Sequence, residues 1–575
     1  MLPTRPTIRG RRHVASSCHY LATQAAFAIL EAGGNAIDAG VAAGITLGVV
    51  EPEYVNFGGV APIILYSAAE DRVITISGLG TWPKSISPTY FRDQHGGKIP
   101  RGILRTVVPA AADAWITALK NWGTMSFADV TKAARDLAAN GFPVDAVMAD
   151  LLSQHAPHIM PDSASRAVYL PNGRSPREGE MFVQSDLAKT IQYMVDEEAA
   201  HGSEGRIAAL EAARRAFYHG DIAQQIVRFQ TESGGFLSAD DLAGYHSGIE
   251  EPVQIDFSGI DVYACGPWCQ GPSLLQCLKM LEHDNLPAVG HNSADYIHLL
   301  TESIKLAFSD RDRYFGDPRF VDVPIDALLS AEYAVTRRKM IRPGEAWPGI
   351  PPAGSANELG LRMAGGGVVP QAQAAWREPE LDTSYVCVMD RHGNAFSATP
   401  SDGTTYLTPM VPGLGIIASA RGSQSWADPA HASSVAPGKR PRLTPNPALA
   451  IRKDAFVMPF GTPGGDIQTQ AMLQVFLNII AFDMDIQPAI DAARFASYSF
   501  PSSFEPHDYH PGLLRLESRI ERPVGEALAQ MGHRVEWWPD FTHAASVVCA
   551  IRADKQSGVL SGGADPRRTS YALGW

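Results

Sequence analysis

A strand–turn–strand pattern at residues 381–401 (LDTSYVCVMDRHGNAFSATPS) constrains the fold of this chain more than any other stretch. Residues 385–389 form a β-branched and apolar run, residues 390–394 carry turn formers, and residues 395–399 resume an extended pattern. This order predicts a β-hairpin. Directly before it, residues 349–379 are rich in Pro, Gly and Ala and show little periodicity. The hairpin therefore begins where an irregular segment ends, with Thr383 at the start of its first strand.

The position of Thr383 at this junction has two interpretations. Threonine at the start of a strand is ordinary, because β-branched residues favour strands. Alternatively, a cut between Asp382 and Thr383 would make Thr383 a new N-terminus. Its α-amine, with an ordinary pKa of about 8, could then accept the proton of its own hydroxyl, so that no separate histidine base is needed.

Motifs along the chain resemble the γ-glutamyltransferase family of N-terminal-nucleophile hydrolases. The small subunit of that family opens with Thr, a hydroxyl residue, a strand and an Asp-x-x-Gly-Asn turn, as residues 383–394 do here. Further matches follow the family's order over nearly the whole chain, at residues 21–24 (LATQ), 30–39 (LEAGGNAIDA), 47–52 (LGVVEP), 302–311 (ESIKLAFSDR), 460–465 (FGTPGG), 493–495 (ARF) and 564–567 (ADPR).

Helices bracket strands in both parts of the chain, which indicates an α+β protein. The resemblance implies a four-layer αββα sandwich built jointly by two products of self-cleavage. These are a large subunit, residues 1–382, whose residues 349–382 form a flexible leader to the cleavage site, and a small catalytic subunit, residues 383–575. Both would form one αββα domain, and the two-subunit unit could pair further.

Three further residues match catalytic positions of the family. Gly464 and Gly465 lie between a strand and a helix, where backbone N–H groups suit an oxyanion, and the resemblance makes them the oxyanion-hole pair. Without it, they read as a plain strand-to-helix turn. Ser401 stands where the family has a Thr that hydrogen-bonds the nucleophile, although it could equally be a loop serine.

The substrate-binding positions depart from the family. Leu79 stands where the resemblance places an Arg that binds the α-carboxylate, and Thr444 falls in a pair that the family fills with two serines. The acidic ligand of the α-ammonium falls near Gln424, an amide ligand falls near Arg421, and Gly403 replaces an Asn. Because the loss of buried polar partners discriminates strongly between substrates, these changes disfavour a γ-glutamyl substrate.

The changes favour an acyl group that carries a carboxylate but no α-amine, ranging from oxamate-like to glutaryl-like amides. Arg421 would bind that carboxylate bidentately, unless it is a solvated loop arginine. We therefore expect a self-processing N-terminal-threonine amidohydrolase or acyltransferase acting on a small amide. The alternatives are a true γ-glutamyl hydrolase or transferase acting on glutathione-type substrates, a cephalosporin-type acylase, and an unprocessed, non-catalytic binding protein.

The composition of the chain restricts the classes of binding partner that we expect. The net charge of −13 disfavours nucleic acid and anionic membranes, because neither meets a basic field. The first twenty residues lack an apolar signal-peptide core and no window reaches 18 uncharged apolar residues, so we expect a cytoplasmic protein. No cofactor is expected. The spacing of the cysteines lacks CxxC pairs, so we interpret them as buried thiols rather than as a metal site. His155 and His158 lack an evident third ligand, so we interpret them as loop histidines.

The pattern also predicts individual elements. Thr23 would cap a helix over residues 24–32, and Asn35 would cap a buried helix over residues 36–49. Residues 63–67 and 72–77 would pair as strands. Residues 293–314 would form a helix with one apolar face, and residues 449–459 would form one strand.

Overall fold

The computed structural model describes residues 3–355, 383–403 and 408–575. Over these residues it contains twenty α-helices and twenty-one β-strands. The helices are Tyr20–Glu31 (α1), Ala36–Val50 (α2), Tyr90–His95 (α3), Ala111–Trp122 (α4), Phe127–Val130 (α5), Lys132–Asn140 (α6), Ala146–Ile159 (α7), Ser163–Tyr169 (α8), Ser185–Ala200 (α9), Arg206–Tyr218 (α10), Asp221–Glu232 (α11), Ala239–Ala243 (α12), Gly271–Leu281 (α13), Leu286–Val289 (α14), Ala294–Tyr314 (α15), Ile325–Leu328 (α16), Ala331–Arg338 (α17), Gln468–Ile480 (α18), Ile486–Asp491 (α19) and Arg522–Gln530 (α20).

The strands follow the same chain order. They are Ile8–Gly10 (β1), Val14–Ser17 (β2), Val55–Val60 (β3), Ile63–Ser67 (β4), Arg72–Ile76 (β5), Phe142–Pro143 (β6), Met181–Phe182 (β7), Ile249–Glu250 (β8), Val253–Asp256 (β9), Asp261–Ala264 (β10), Val386–Met389 (β11), Ala395–Ala398 (β12), Ser401–Asp402 (β13), Ala448–Arg452 (β14), Phe456–Gly461 (β15), Phe495–Ser497 (β16), Leu513–Glu517 (β17), Arg534–Trp538 (β18), Cys549–Asp554 (β19), Leu560–Ala564 (β20) and Tyr571–Gly574 (β21).

Two seven-stranded antiparallel sheets form the middle of the molecule. The first has the order β1-β20-β19-β15-β14-β10-β9, and the second has the order β21-β2-β11-β12-β4-β5-β8. Side chains of a strand alternate between its two faces, and both faces are buried here. On β4, Ile63 and Leu65 pack on a helical layer, whereas Ile64 and Tyr66 pack between the sheets.

Helices cover the outer face of each sheet. The second sheet carries a layer that includes α1, α2 and α4, and the first sheet carries a layer that includes α13, α15 and α18. A third apolar cluster, with Leu449 and Val457 from one sheet and Cys387 from the other, fills the space between the sheets. The layers therefore run helix, sheet, sheet, helix, and the predicted αββα sandwich is confirmed.

The predicted hairpin is confirmed, since β11 pairs with β12 in antiparallel register from Val386 with Ala398 to Met389 with Ala395. The buried helix α2 is also confirmed, and Asn35 caps it by accepting the N–H groups of Ile37 and Asp38. The other confirmed elements are the paired strands β4 and β5 and the helix α15.

Two local predictions were wrong. Helix α1 begins at Tyr20 rather than after Thr23, because His19 caps it and the Thr23 hydroxyl donates instead to the carbonyl of Tyr571. Residues 449–459 form two strands rather than one. A turn at Asp454, which has a φ of 61°, folds β15 back on β14, and the apolar run on both sides of the turn hid it.

Each large sheet contains strands from both sides of residue 383. In the first sheet, β1, β9 and β10 precede that residue, and in the second β2, β4, β5 and β8 do. Asp382, most of the predicted leader and therefore the predicted cleavage site lie outside the described residues. Within the described part of the chain, none of the helices is both long enough and apolar enough to span a membrane.

Candidate active site

The start of the hairpin places Thr383 in the interior of the molecule. Thr383 forms an isolated antiparallel bridge with Ser401, and the Ser384 N–H donates to the carbonyl of Pro400 over 2.9 Å. The side chains of Thr383 and Ser401 are both fully buried, and their hydroxyl oxygens lie 2.7 Å apart. The pairing of the hairpin therefore sets the hydroxyl contact that the resemblance implied.

A buried arginine extends this contact. Arg421 Nη2 donates to Ser401 Oγ over 2.5 Å, and Arg421 is about 99% buried. Its Nε lies 3.9 Å from a carboxylate oxygen of Asp402, which also accepts the hydroxyl of Ser419 and the N–H of Ala420. Burial raises the pKa of Asp402, and the nearby charge of Arg421 opposes this rise. Arg421 is therefore an interior residue, and the solvated-loop interpretation is wrong.

Gly464 and Gly465 precede α18 in a turn that requires glycine. Their φ values are 116° and 57°, and a Cβ at Gly464 would lie 2.4 Å from Ser546 Oγ. Among the described residues, no acceptor faces either N–H group. Two backbone donors near a helix N-terminus can stabilise a developing oxyanion, so the geometry is compatible with the predicted role of the pair.

Gln424 and Thr444 are in direct contact, because Gln424 Nε2 donates to Thr444 Oγ1 over 2.9 Å. A residue that the sequence reasoning missed ties this pair to the glycines. Gln270 Nε2 donates to the carbonyls of both Thr444 and Gly465, over 2.9 and 2.8 Å. Its position between a strand and a helix that starts Gly271-Pro272 was the available signal.

Two of the altered family positions are filled by apolar or backbone groups. Leu79 packs with Leu443 and Trp268 in a small buried cluster, and it is not among the residues that line the cavity beside the glycines. Gly403 is pressed against the backbone of Glu53, since a Cβ would lie 2.0 Å from that carbonyl oxygen. A side chain in place of Gly403 therefore has no room.

A cavity of about 800 Å³ opens beside Gly464 and Gly465. Tyr54 and residues 498–510 supply an aromatic and acidic wall, and residues 98–105 supply Lys98, Arg101 and Arg105. Burial raises the pKa of Glu505 in this wall to about 7. These wall residues lie far from the glycines in the sequence, and no motif pointed to them.

The predicted loop histidines, His155 and His158, lie on α7 and line the same cavity. The loop assignment was wrong because the helix continues through Pro157. Burial and the neighbouring His158 and Arg101 lower the pKa of His155 to about 4. Both histidines can therefore contribute to the cavity wall without a metal.

One group of described residues has donor atoms close enough for a metal ion, namely His298, Glu302 and His533. Several of its donor and acceptor atoms already have protein partners. His298 Nδ1 and His533 Nε2 are 2.9 Å apart, Lys305 Nζ donates to Glu302 over 2.7 Å, and the Trp347 N–H donates to the other carboxylate oxygen. Because the ammonium group of Lys305 already pairs with Glu302, we interpret this group of residues as a structural hydrogen-bond network. The six cysteines are buried thiols, as predicted.

Comparisons with known proteins match nearly the whole chain. A family model described as Gamma-glutamyltranspeptidase matches residues 22–575. The chain is 31% identical over 574 residues to the Glutathione hydrolase-like YwrD proenzyme of Bacillus subtilis (strain 168), covering 99% of each protein. It is 27% identical over 583 residues to the Oxamate amidohydrolase proenzyme of Klebsiella pneumoniae subsp. pneumoniae, covering 98% of each.

Solved structures extend the comparison to the fold. One described as LmbA2991HD superposes with a TM-score of 0.92 at 37% identity and covers 100% of both chains. The cephalosporin acylase from Bacillus halodurans superposes with a TM-score of 0.85 at 27% identity, covering 100% of this chain and 98% of that one. Both superpositions therefore include the hairpin, the glycine turn and the two large sheets.

Proposed function

Because the chain belongs to the γ-glutamyltranspeptidase family, whose members are N-terminal-nucleophile hydrolases acting on amide bonds, we propose that it cuts itself before Thr383. The mature enzyme then hydrolyses or transfers a short acyl group that bears a carboxylate. The observation that carries this proposal is the chain of hydrogen bonds from Thr383 through Ser401 to the buried Arg421. These contacts support Thr383 as the nucleophile and Arg421 as a nearby anion-binding group.

The chemistry needs one residue for attack and for proton transfer. Thr383 Oγ1 attacks the amide carbonyl of the substrate while its proton passes to the Thr383 α-amine. The oxyanion receives the N–H groups of Gly464 and Gly465. The amine product departs with the proton, and water or an acceptor amine then releases the acyl group from the threonine ester.

The spacing of the site favours a short acyl group. Two hydrogen bonds, of 2.7 and 2.5 Å, separate the attacking oxygen from the Arg421 guanidinium. A carboxylate bound by Arg421 therefore lies only a few bonds from the attacked carbonyl, as in an oxamate-like amide, and a glutaryl chain has to fold back. The relative named Oxamate amidohydrolase proenzyme supports the same class.

Among the described residues, the positions that differ from the family offer no groups suited to a γ-glutamyl substrate. Leu79 and Leu443 are apolar, Gly403 leaves no room for an amide, and Gln424 is held by Thr444. An α-ammonium group brought to these positions would lose its hydration without gaining a carboxylate partner from them, which costs several kcal/mol, on the order of 2–5.

A cephalosporin-type acylase is the second candidate. The cavity of about 800 Å³ is much larger than an oxalyl group, and pockets of roughly this size hold drug-sized ligands. The structural similarity to the cephalosporin acylase from Bacillus halodurans points the same way. In either case the cavity would hold the amine part of the substrate.

The first experiment tests processing. Purified wild-type protein should give two bands on a denaturing gel, with Thr383 at the N-terminus of the smaller one. Thr383→Ala should leave one band of full mass, whereas Thr75→Ala, a buried threonine on β5 that β12 and β4 separate from β11, should still give two. A single wild-type band with substrate binding would favour the non-catalytic alternative and overturn the proposal.

The second experiment tests the acyl group. Anilides that share one amine and differ in the acyl part (oxalyl, succinyl, glutaryl, γ-glutamyl and acetyl) should be cleaved in the order oxalyl first and γ-glutamyl or acetyl last. Faster cleavage of the γ-glutamyl anilide than of the oxalyl anilide would restore the glutathione-type alternative. A preference that ignores the carboxylate would favour the acylase.

A further inference from the structure

A second buried arginine contacts the backbone carbonyl of Thr383 rather than its hydroxyl. Arg568 Nη1 donates to the backbone carbonyl of Thr383 over 3.2 Å, and Arg568 is about 94% buried. Its guanidinium carbon lies 3.6 Å from the centre of the Tyr54 ring. Backbone geometry limits the distance from Nη1 to the Thr383 nitrogen to about 7 Å. A fixed positive charge therefore lies beside the atom that becomes the α-amine.

We call Arg568, Tyr54, Glu51 and Glu53 the carbonyl side of Thr383, and Ser401, Asp402 and Arg421 the hydroxyl side. Each side contains one guanidinium group and at least one buried acid. The acids on both sides are poorly placed to hold a negative charge. Burial is the largest influence on each of them, and it raises the pKa of Glu51 and of Asp402.

Burial, followed by the proximity of Glu51, raises the pKa of Glu53 far above its usual range. The raised pKa values of Glu51 and Glu53 both oppose a negative charge on this side. Arg568 behaves differently. Burial alone would discourage its charge, but Tyr54 and Glu51 hold the pKa of the guanidinium above its ordinary value. The permanent charge on the carbonyl side is therefore the cation.

We propose that Arg568 is a positioning residue that fixes the backbone of Thr383 and keeps its α-amine in the neutral, proton-accepting form near pH 7. This inference rests on the proposed cleavage, because the α-amine exists only after the cut. A cation disfavours a second positive charge nearby. With an effective dielectric constant of about 20 to 40 and a separation of about 7 Å, it lowers the pKa of the amine by about one to two units.

Other charged or titratable groups near Thr383 also influence the pKa of its α-amine, each with a sign that depends on its charge. Arg421 acts in the same direction as Arg568, whereas any ionised acid acts in the opposite one. The remaining groups around the two sides are Cys18, His19, Asp145, Arg105 and His543. Burial and Arg568 lower the pKa of His543 to about 4, so it carries no charge near pH 7.

The pH dependence of kcat/KM distinguishes this role from a purely structural one. The free amine acts as the base, so activity rises with pH through the pKa of the amine. In Arg568→Met, the acidic midpoint should move up by about one to two pH units. Activity at pH 6 should then fall at least about tenfold more than activity at pH 9. Arg568→Lys retains the charge and should keep the wild-type midpoint.

Arg214→Met is the matched control. Arg214 is also buried and pairs with the buried Asp113, but it lies outside the site, so its loss should lower stability and leave the midpoint unchanged. A processed Arg568→Met with the wild-type midpoint would overturn the proposal. So would a shift of the same size in Arg568→Lys.

A measurement on the wild-type enzyme covers the case in which Arg568→Met fails to cut itself. Trace acetylation with acetic anhydride, read by mass spectrometry on the N-terminal peptide of the small subunit, reports the unprotonated fraction of the Thr383 amine at each pH. The midpoint should lie below about 7, whereas an ordinary α-amine titrates near 7.7 to 8.0. A midpoint of 8 or above overturns this inference and leaves the proposed function intact, and an uncut wild-type chain overturns both.

Discussion

The two sides of Thr383 use the same kind of group in different ways. On the hydroxyl side, Arg421 reaches the nucleophile through Ser401. On the carbonyl side, Arg568 contacts the backbone of Thr383 directly and stacks on Tyr54. Under the proposed function the first guanidinium would bind substrate, because a single hydroxyl, that of Ser401, separates it from Thr383 Oγ1. The second is occupied by the backbone and the ring, so its influence on chemistry is electrostatic.

The sides also differ in how the chain builds them. Thr383, Ser401 and Arg421 are separated by steps of 18 and 20 residues, whereas Thr383 and Arg568 are 185 residues apart. The hydroxyl side is thus assembled by the hairpin and the loop that follows it. On the carbonyl side, Arg568 lies between β20 of the first sheet and β21 of the second. Under the proposed function, local structure would position the nucleophile and distant structure would adjust it.

The largest expected effect concerns the backbone N–H groups of Gly464 and Gly465, the proposed donors to the oxyanion. Gly464→Ala would force a Cβ to 2.4 Å from Ser546 Oγ at a φ of 116°, and moving the turn would misplace its N–H groups. We expect a loss of kcat of about 100- to 1000-fold.

Gly33→Ala is the control for backbone strain, because Gly33 has a φ of 96° and nothing within 4 Å of a Cβ. It should lower the free energy of unfolding by about 1 kcal/mol with kcat unchanged. Equal kcat values for wild type and Gly464→Ala would contradict the proposed role of the Gly464 and Gly465 N–H groups in stabilising the oxyanion.

The next effect separates substrate binding from electrostatic influence. Arg421→Met should lower kcat/KM for an oxalyl anilide by about 50-fold at pH 9, mainly through KM, because the carboxylate loses its partner. At the same pH, Arg568→Met should lower kcat/KM by only a few fold, since the amine is already neutral. Steady-state kinetics at pH 9 on the processed variants measure both. Similar losses in kcat for the two variants would contradict the distinction between substrate binding by Arg421 and electrostatic influence by Arg568.

A smaller effect tests the contact between Arg421 and the nucleophile. Ser401→Ala removes a hydroxyl that accepts from Arg421 and contacts Thr383. One hydrogen bond of this kind is worth about 1.4 kcal/mol, so kcat should fall by about tenfold. Ser401→Thr should retain most of the activity. If Ser401→Ala changes KM alone, the hydroxyl serves binding rather than the nucleophile.

The smallest effect lies on the carbonyl side. Among the described residues, the hydroxyl of Tyr54 has no hydrogen-bond partner. Tyr54 therefore contributes to the packing of Arg568 through its ring and not through its hydroxyl. Tyr54→Phe should therefore change stability by no more than about 0.5 kcal/mol. Tyr54→Ala removes the ring and should lower the free energy of unfolding by about 3–5 kcal/mol. Chemical denaturation of both variants measures the contrast, and a large loss in Tyr54→Phe would contradict it.

The sequence predicted the parts of the fold that short-range patterns determine. The hairpin, α2 with its Asn35 cap and α15 follow from periodicity and capping, which act within a few residues. The strand pair at residues 448–461 was missed, because its turn uses Asp454 in a left-handed conformation between two apolar runs. Apolar runs fit one long strand or two short ones equally well.

The same division holds in the site. Thr383, Ser401 and Arg421 could be named from motifs and their order, and the structure brings them into contact. Gln270 and Arg568 could not, because their contacts are to backbone carbonyls far away in the chain. A side chain that binds a carbonyl has no particular partner residue, so no sequence pattern records the pairing.

The distribution of strands has a consequence for the mature enzyme. Once the proposed cut is made, neither product retains a full set of neighbours for its own strands, because each large sheet interleaves segments from both. Separated products would expose unpaired edges and the apolar layer between the sheets. Recovery after denaturation would then become bimolecular and sensitive to dilution, whereas the precursor folds as a single molecule. The proposed cut would therefore make refolding of the active enzyme depend on the reassociation of two chains.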